Sequence, residues 1–275
     1  MQPATRTSTH AVSIGATTVR KRYITDHEAE ADREWACLTL LAEHAPGLAP
    51  RPLGREDDDR PVVVMERLPG AHLAPRPMSG EQTRALGAAL RRLYDVPLGA
   101  VEAAGIGPRT YGPAEMVAVL TPWLGGDHDL EPCRDPVLVA DAVAAAREYV
   151  ADAGLPEPRT TCLGIADLNP ANVLWDGRVA RLVDFEDAGL SEPAYELADH
   201  VEHLGSRLPG VYDAAALAGA VGLDADGRER MEAYRPLFGA FWLAMLLPGR
   251  GSWRRNPPGT TEDQAAHFMA LAGHH

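Results

Sequence analysis

The sequence has little of what nucleic-acid-binding and membrane-bound proteins depend on. Its 275 residues hold 26 Lys and Arg against 39 Asp and Glu, which gives a formal net charge of −13. Because so acidic a chain offers no broad basic surface, we expect neither nucleic acid nor an anionic membrane as a partner. The longest nearly apolar run, from Leu237 to Leu247, is too short to cross a bilayer.

Cysteine is also scarce. The three cysteines, Cys37, Cys133 and Cys162, are odd in number and show no C-x-x-C spacing. This argues against a disulfide framework or a zinc site and indicates buried thiols in a reducing compartment. The first residues lack the apolar stretch of a secretion signal, so we expect a cytoplasmic protein. Internal repeats are absent too, which argues against a solenoid scaffold.

Lysine is nearly missing, since Lys21 is the only lysine among the 26 basic residues. It lies in a stretch of β-branched residues, 17–23, which follows a first stretch, 11–14, and a turn at Gly15-Ala16. This pattern predicts a β-hairpin. A general preference for arginine explains why lysine is rare, but it does not explain the position of the one exception.

Residues 163–184 hold the densest group of chemically useful side chains. Asp176-Gly177 separates two short apolar strands, 172–175 and 179–183, and this pair tolerates the positive φ of a tight hairpin turn. The hairpin brings Asn172 and Asp184 to one open end, with Asp167 on the loop just before it. Three converging side-chain oxygens suit a hard cation such as Mg²⁺ that carries phosphates.

The motif Asp-Leu-x-Pro-x-Asn-Val-Leu, followed by a hairpin and Val-Asp-Phe-Glu, resembles a known catalytic segment. It is that of the aminoglycoside phosphotransferase and choline kinase branch of the protein-kinase-like fold. The resemblance implies that Asp167 orients or deprotonates a substrate hydroxyl and that Asn172 and Asp184 bind Mg²⁺. The family usually has His-Gly before the first aspartate, whereas this chain has Ile165-Ala166.

The same resemblance implies roles for residues nearer the start of the chain. Lys21 would bind the α- and β-phosphates of ATP, because a compact ammonium fits between them better than a guanidinium does. A helix that begins at a capping box, residues 25–28, would supply the glutamate that pairs with this lysine. Glu34 matches best, and Glu30 is the alternative. No glycine-rich loop is present to cover the phosphates.

Residues 64–70 resemble the family's interlobe hinge. The resemblance implies that backbone groups between Glu66 and Leu68 bind the adenine edge of ATP. Beyond the hinge, the apolar residues follow a mostly helical period. We predict helices over residues 79–94, 113–123, 137–153, 211–222, 226–247 and 261–273, with a Gly/Pro-rich connection over 97–113.

A further match covers residues 192–199, which resemble the start of a family helix. In the family, an aspartate of this helix braces the catalytic loop from below. Glu196 stands at that position here. Both this residue and the Ile165-Ala166 pair therefore depart from the family pattern in the same supporting region.

We therefore predict an α+β, bilobal, protein-kinase-like fold, with a β-rich nucleotide-binding lobe over residues 1–68 and a helical lobe over residues 69–275. The implied activity is Mg²⁺-dependent transfer of the γ-phosphate of ATP to a hydroxyl of a small molecule. An antibiotic and a choline-like or other small metabolite are both open as acceptors. The alternative from a different class is a nucleotide-binding pseudokinase without catalytic activity.

The local charge favours a cationic acceptor. Between residues 151 and 210 the chain has eleven Asp and Glu against four Arg. Glu186, Asp187 and Glu192 follow the predicted metal ligand Asp184 closely, so we expect them on the acceptor side of the cleft. An acidic cleft attracts cations and raises their association rate.

Overall fold

The computed structural model describes residues 10–23, 28–57, 60–152 and 154–273. The predicted capping box at residues 25–28 lies outside this part of the chain, apart from the backbone of Glu28. None of the helices in the described part is both long and apolar enough to cross a bilayer.

A four-stranded antiparallel sheet opens the fold. Its strands are β1 (Ala11–Ile14), β2 (Thr18–Arg22), β3 (Pro52–Asp57) and β4 (Pro61–Glu66), in the spatial order β1-β2-β4-β3. The predicted hairpin between β1 and β2 forms, closed by a 2.8 Å hydrogen bond from the Gly15 amide to the Thr18 carbonyl. Helix α1 (Glu28–His44) links β2 to β3 and buries Leu38 and Leu41 beside the sheet.

The rest of the chain is mainly helical. Its helices are α2 (Gly80–Tyr94), α3 (Leu98–Ala103), α4 (Pro113–Leu124), α5 (Pro136–Ala151), α6 (Pro193–Glu202), α7 (Leu204–Arg207), α8 (Ala214–Val221), α9 (Ala225–Met245) and α10 (Thr260–Ala272). Helix α9 packs against α6 on one side and α10 on another, and α10 also packs on α5. The buried core runs through these contacts and reaches the catalytic segment at Phe185 and Leu168, both fully buried.

Side-chain caps explain where several of these helices begin. Ser79 and Gln82 form a capping box at the start of α2, in which the Gln82 amide donates to the Ser79 hydroxyl at 3.2 Å. Asp135, Asp213 and Asp224 accept backbone hydrogen bonds at the starts of α5, α8 and α9. Each cap satisfies a backbone donor that the first helical turn leaves without a partner.

Five short strands surround the catalytic segment. They are β5 (Ala71–His72), β6 (Cys162–Gly164), β7 (Val173–Trp175), β8 (Ala180–Leu182) and β9 (Gly189–Ser191). Strands β7 and β8 form the predicted hairpin around Asp176-Gly177, β5 pairs with β7, and β6 pairs with β9. The Leu182 amide donates to the Leu48 carbonyl at 2.9 Å, which ties this hairpin to the segment that follows α1.

Two local predictions need correction. Asn172 was expected in the first strand of the hairpin, but it ends a 3-10 turn formed by Pro170–Asn172. Asn169 caps that turn by accepting from the Ala171 amide, which bends the chain just before β7. The predicted connection over 97–113 contains α3, whose six residues bury only Val101 and so show no helical period in the sequence.

Candidate active site

Lys21 lies at the centre of a buried ionic network between the sheet and the catalytic segment. Its Nζ donates to Glu34 Oε2 at 2.8 Å, contacts Glu186 Oε2 at 2.5 Å and also binds Asp184 Oδ1. Strand β2 carries the lysine and α1 carries Glu34. Glu30, the alternative partner, instead lies 3.0 Å from the Nε2 of His10. The structure therefore brings Lys21 and Glu34 together.

The network holds more negative than positive groups. Burial alone would lower the pKa of Lys21, but Glu34 and Asp184 more than offset it and hold that pKa well above its usual value. Burial raises the pKa of Asp184 to about 7, and the neighbouring Glu186 and Glu34 contribute to this rise against the opposing effect of Lys21. The lysine is thus firmly charged, and a further cation beside Asp184 would be favoured.

A cavity of about 480 Å³ adjoins this network. Its walls combine apolar side chains from the sheet and the β7–β8 hairpin with the polar groups at one end. The residues lining it are Val12, Ile14, Val19, Lys21, Glu34, Pro50, Met65, Glu66, Arg67, Leu68, Gly70, His72, Ala171, Asn172, Leu174, Val183 and Asp184. The cavity volume and the apolar walls suit a flat heteroaromatic base with its phosphates toward Lys21.

The predicted hinge residues Glu66 and Leu68 both line this cavity. The Glu66 amide donates to the Arg51 carbonyl and the Arg67 amide to the Thr17 carbonyl, each at 2.9 Å. Within the described residues, the Leu68 amide has no backbone partner. It is therefore a backbone donor beside the cavity that these residues leave unused.

Asn172 and Asp184 face the same cavity from the catalytic segment. Asn172 Nδ2 donates to the Asp167 carbonyl at 2.9 Å, and its own backbone carbonyl accepts from the Val183 amide at 3.0 Å. Because the amide nitrogen is used in this way, the side-chain oxygen of Asn172 is the atom left to act as a ligand. An amide oxygen and a carboxylate are hard ligands, so this pair fits Mg²⁺.

Asp167 lines a second, smaller cavity. Its backbone φ is 30°, and that of Ala166 is 55°, so two consecutive residues other than glycine adopt the left-handed region. Such conformations cost energy and persist only where surrounding contacts enforce them. The Asp167 side chain is half exposed, and its Oδ1 lies 3.0 Å from His203 Nε2.

Glu196 makes several of the contacts that hold this backbone conformation in place. Its Oε2 accepts from the amides of Ile165 and Ala166 at 2.9 and 3.0 Å, which holds the loop directly before Asp167. Its Oε1 accepts from Arg109 Nη1 at 2.7 Å and from the Ser191 hydroxyl at 2.6 Å. Burial would raise the pKa of Glu196, but Arg109 and these hydrogen bonds hold it below its usual range.

The second cavity has a volume of about 200 Å³. Aromatic and acidic side chains dominate its walls. The residues lining it are Arg109, Thr110, Tyr111, Met116, Ala166, Asp167, Asp187, Asp199, Phe238, Phe241 and Trp242. The guanidinium of Arg109 is already paired with Glu196 and Asp199, so it does not compensate the carboxylates of Asp167 and Asp187.

Of the three acidic residues expected on the acceptor side, only Asp187 lines this cavity. Burial raises the pKa of Asp187, the Thr110 hydroxyl opposes this, and Glu186 and Asp167 add to the rise. Glu186 points into the Lys21 network instead, and Glu192 binds Arg230 at 2.7 Å and the Tyr234 hydroxyl at 2.6 Å. The expectation for Glu186 and Glu192 was therefore wrong.

The comparison with protein families decides the class. Residues 8–234 match the model of the "Phosphotransferase enzyme family". The chain belongs to this phosphotransferase family. The predicted enzyme class, an ATP-dependent small-molecule phosphotransferase, is confirmed by this membership. No curated protein sequence shows significant similarity to the chain.

Solved structures show which fold this phosphotransferase has. A wild-type aminoglycoside 2'-phosphotransferase-IIIa in complex with GDP is 16% identical, with a TM-score of 0.64 over 96% of this chain and 88% of that one. A choline/ethanolamine kinase family protein from Mesorhizobium loti is 19% identical, with a TM-score of 0.64 over 94% and 84%. A spectinomycin phosphotransferase in complex with ADP is 11% identical, with a TM-score of 0.63 over 99% and 91%. The predicted bilobal, protein-kinase-like fold is thereby confirmed.

Sequence reasoning missed three residues of this phosphotransferase's site. Arg109 reaches Glu196 and Asp199 from a loop about 90 residues earlier. His10 lies 2.9 Å from Glu186 beside Lys21. His203 contacts Asp167 from the end of α6. None lies within a recognisable motif, so only the tertiary structure reveals them.

Proposed function

We propose that this phosphotransferase transfers the γ-phosphate of ATP, bound with Mg²⁺, to a hydroxyl of a small cationic molecule. The observation that carries the proposal is the position of Asp167. It lines the smaller cavity, while its backbone carbonyl accepts from Asn172, a residue of the larger cavity. A hydroxyl in one cavity and a phosphate in the other would meet at this residue.

The residues divide the chemistry between them. Asp167 would orient the acceptor hydroxyl and accept its proton, while Lys21 would neutralise the phosphates. Asn172 and Asp184 would hold Mg²⁺, which offsets the charge of the β- and γ-phosphates. Glu34 keeps Lys21 in place, and Glu66 and Leu68 border the space for the base. Catalysis then rests mainly on positioning and electrostatic stabilisation.

These features favour an active enzyme over a pseudokinase. Lys21 and Glu34 are paired, and the loop before Asp167 is held by Glu196 although Ile165-Ala166 differ from the usual pair. We propose two lobes that meet after residue 68, with the nucleotide between them. Three free, buried cysteines suit the reducing cytoplasm that we propose as its location.

The acceptor cavity favours a cation of limited size. Tyr111 and Phe241 have ring centroids 5.6 Å apart and form an aromatic wall of the cavity that also holds carboxylates. Aromatic faces and carboxylates both attract an ammonium group. A volume of about 200 Å³ is below the 300–1,000 Å³ or so of drug-sized sites. One charged ring of an antibiotic fits this description, and so does a choline-like molecule.

A panel of acceptors tests the proposal. ATP consumption would be measured with kanamycin, spectinomycin, choline, ethanolamine, glucose and adenosine, at low and high salt, with and without a Mg²⁺ chelator. We expect turnover with at least one cation, lost with the chelator and weakened by salt. A neutral acceptor that outperforms every cation, without salt dependence of kcat/KM, would overturn the cationic assignment. Undetectable ATP–Mg²⁺ binding by calorimetry at millimolar concentration would overturn the catalytic proposal.

A further inference from the structure

The carboxylate of Asp167 has one side-chain partner within the described residues, and that partner is His203. The distance from His203 Nε2 to Asp167 Oδ1 is 3.0 Å. The two residues just before Asp167, Ile165 and Ala166, carry apolar side chains that cannot hold a carboxylate. Any side-chain control over the orientation of Asp167 must therefore come from outside its own loop.

His203 is well placed to exert that control. Its backbone amide donates to the Asp199 carbonyl at 2.8 Å, and its own carbonyl accepts from the amides of Ser206 and Arg207, both at 2.8 Å. These bonds anchor it at the junction of α6 and α7. Its ring packs edge-on against Trp242 of α9, with centroids 4.7 Å apart and an interplanar angle of 83°.

The tautomer of the ring follows from its second contact. The Gly205 amide donates to His203 Nδ1 at 3.0 Å. In a neutral ring the proton must then lie on Nε2, which faces Asp167. His203 therefore presents its N–H side to the Asp167 carboxylate, 3.0 Å away, and because its other nitrogen accepts from Gly205 it is not itself a base for the acceptor hydroxyl.

We propose that His203 is the positioning residue for Asp167. It holds Oδ1 and leaves the second carboxylate oxygen to receive the acceptor hydroxyl. The side-chain exposures fit this division, since His203 is 13% exposed and Asp167 52%. The left-handed backbone at Ala166 and Asp167 makes an external anchor more important, because the loop alone does not favour this arrangement. This inference rests on the proposed role of Asp167 as the base.

Three variants separate the polar contact with Asp167 from the packing of the ring. His203→Phe keeps a ring beside Trp242 but removes the donor, His203→Gln keeps a donor near the Nε2 position, and His203→Ala removes both. Turnover of ATP with water as the acceptor needs no knowledge of the natural substrate. We expect His203→Phe to lower kcat roughly 10- to 100-fold, the effect of losing one polar contact to a charged group.

Two further results should accompany this loss. KM for ATP should stay within about twofold in all three variants, because the ring lies outside the nucleotide cavity. His203→Gln should recover most of the lost kcat. A wild-type kcat in His203→Phe would overturn the inference, and so would a His203→Gln variant that is no better than His203→Phe.

Asp167→Asn in the same assay separates this inference from the proposed function. If Asp167→Asn abolishes turnover while His203→Phe does not change it, only the positioning role is wrong. If wild type and Asp167→Asn turn over ATP equally, the proposed function is wrong. Crystal structures of wild type and His203→Phe give a result without turnover. The Asp167 carboxylate should move or lose definition in the variant, and an unchanged carboxylate would overturn the role of His203.

Discussion

The carboxylate of Glu196 occupies the space that a side chain at residue 164 would need. A Cβ built on Gly164 would lie 2.3 Å from the Glu196 Cδ, a separation that real Cβ contacts essentially never show. Glu196 cannot move aside easily, because it is fully buried and binds Arg109, Ser191 and two loop amides. The glutamate and the glycine are therefore matched to each other beneath the catalytic loop.

This match predicts a strong effect of Gly164→Ala. The added methyl group should destabilise the fold by about 1–3 kcal/mol, the usual cost of overpacking, and should lower kcat by displacing the loop. The shorter side chain of Glu196→Asp makes room, so the double variant should be more stable than the sum of the single effects predicts. Urea unfolding measures the change in stability, and ATP turnover measures the change in kcat. Gly99→Ala is the control, since a Cβ there meets no atom within 4 Å. If the effects of Gly164→Ala and Glu196→Asp on stability are strictly additive, the two side chains are not matched to each other.

A second prediction concerns the single lysine. Lys21→Arg keeps the charge but replaces a compact ammonium by a planar fork, which the pocket formed by Glu34, Asp184 and Glu186 does not fit. We expect kcat/KM for ATP to fall at least about 10-fold, and Lys21→Ala to weaken ATP binding measured by calorimetry. Glu34→Ala should weaken ATP binding less than Lys21→Ala does.

The control for this exchange is Arg55→Lys, which also interchanges arginine and lysine. Arg55 lies on β3 of the same sheet but does not line the nucleotide cavity. It should leave ATP affinity and turnover unchanged. If Lys21→Arg also behaves like wild type, the position of the only lysine is a coincidence of composition, and another group binds the phosphates.

How far the sequence predicts this molecule depends on the distance over which each feature is encoded. The β7–β8 hairpin follows from a dipeptide, and α2 follows from a capping box a few residues long. The ion pair between Lys21 and Glu34 joins neighbouring elements and could be inferred with the help of a family resemblance. Each of these signals lies within about 20 residues of chain.

The supporting contacts were not predictable in this way. Arg109 lies 87 residues from Glu196 and 90 from Asp199, and it follows a segment in which even α3 was missed. A buried arginine has no local sequence signature, because its burial depends on which carboxylates the fold brings to it. The same holds for His203, whose partner is selected by the packing of α6 against the loop.

A third prediction uses His200, which lies fully buried on α6. Burial lowers the pKa of His200 to about 4, and nearby Arg109 and His203 contribute to this decrease against Glu196 and Asp167. The unfolded chain has a histidine pKa of about 6.5. Between these two values the unfolded state binds a proton that the folded state does not, so stability falls as pH drops from about 6.5 to 4.

We expect the lowered pKa of His200 to decrease the free energy of unfolding by about 2 kcal/mol when the pH falls from 7 to 5. His200→Leu removes the titrating ring and should reduce the pH dependence by that amount. Urea unfolding of wild type and variant at both pH values gives the comparison, in which the other titrating groups cancel. Equal losses of stability in the two proteins would show that His200 takes up its proton without leaving the core.

A fourth prediction isolates the chemical step. Asp167→Asn keeps the size of the side chain but removes the base, so kcat should fall by about 10²- to 10⁴-fold. Nucleotide affinity should barely change, because Asp167 lines the acceptor cavity and is absent from the lining of the nucleotide cavity. Calorimetry with ATP and Mg²⁺ measures that affinity independently of turnover. A large loss of ATP binding would place Asp167 in nucleotide binding instead.

The last prediction concerns the charge of the acceptor cavity. Among the carboxylates that line this cavity, Asp187 has no role in the proposed chemistry and is not paired with Arg109. Its pKa is raised by burial and by repulsion from the nearby carboxylates of Glu186 and Asp167. A cationic acceptor would relieve this repulsion, so Asp187→Asn should raise KM for the acceptor several-fold and change kcat less. The effect should shrink at high salt, because screening weakens the attraction that steers the cation.

The charge-matched control for Asp187→Asn is Glu102→Gln, which removes an exposed carboxylate of α3 outside the cavity lining and should leave KM nearly unchanged. If both variants raise KM equally, overall acidity attracts the acceptor. If neither does, the acceptor does not bind through its charge, and the aromatic wall of Tyr111 and Phe241 must select it by shape.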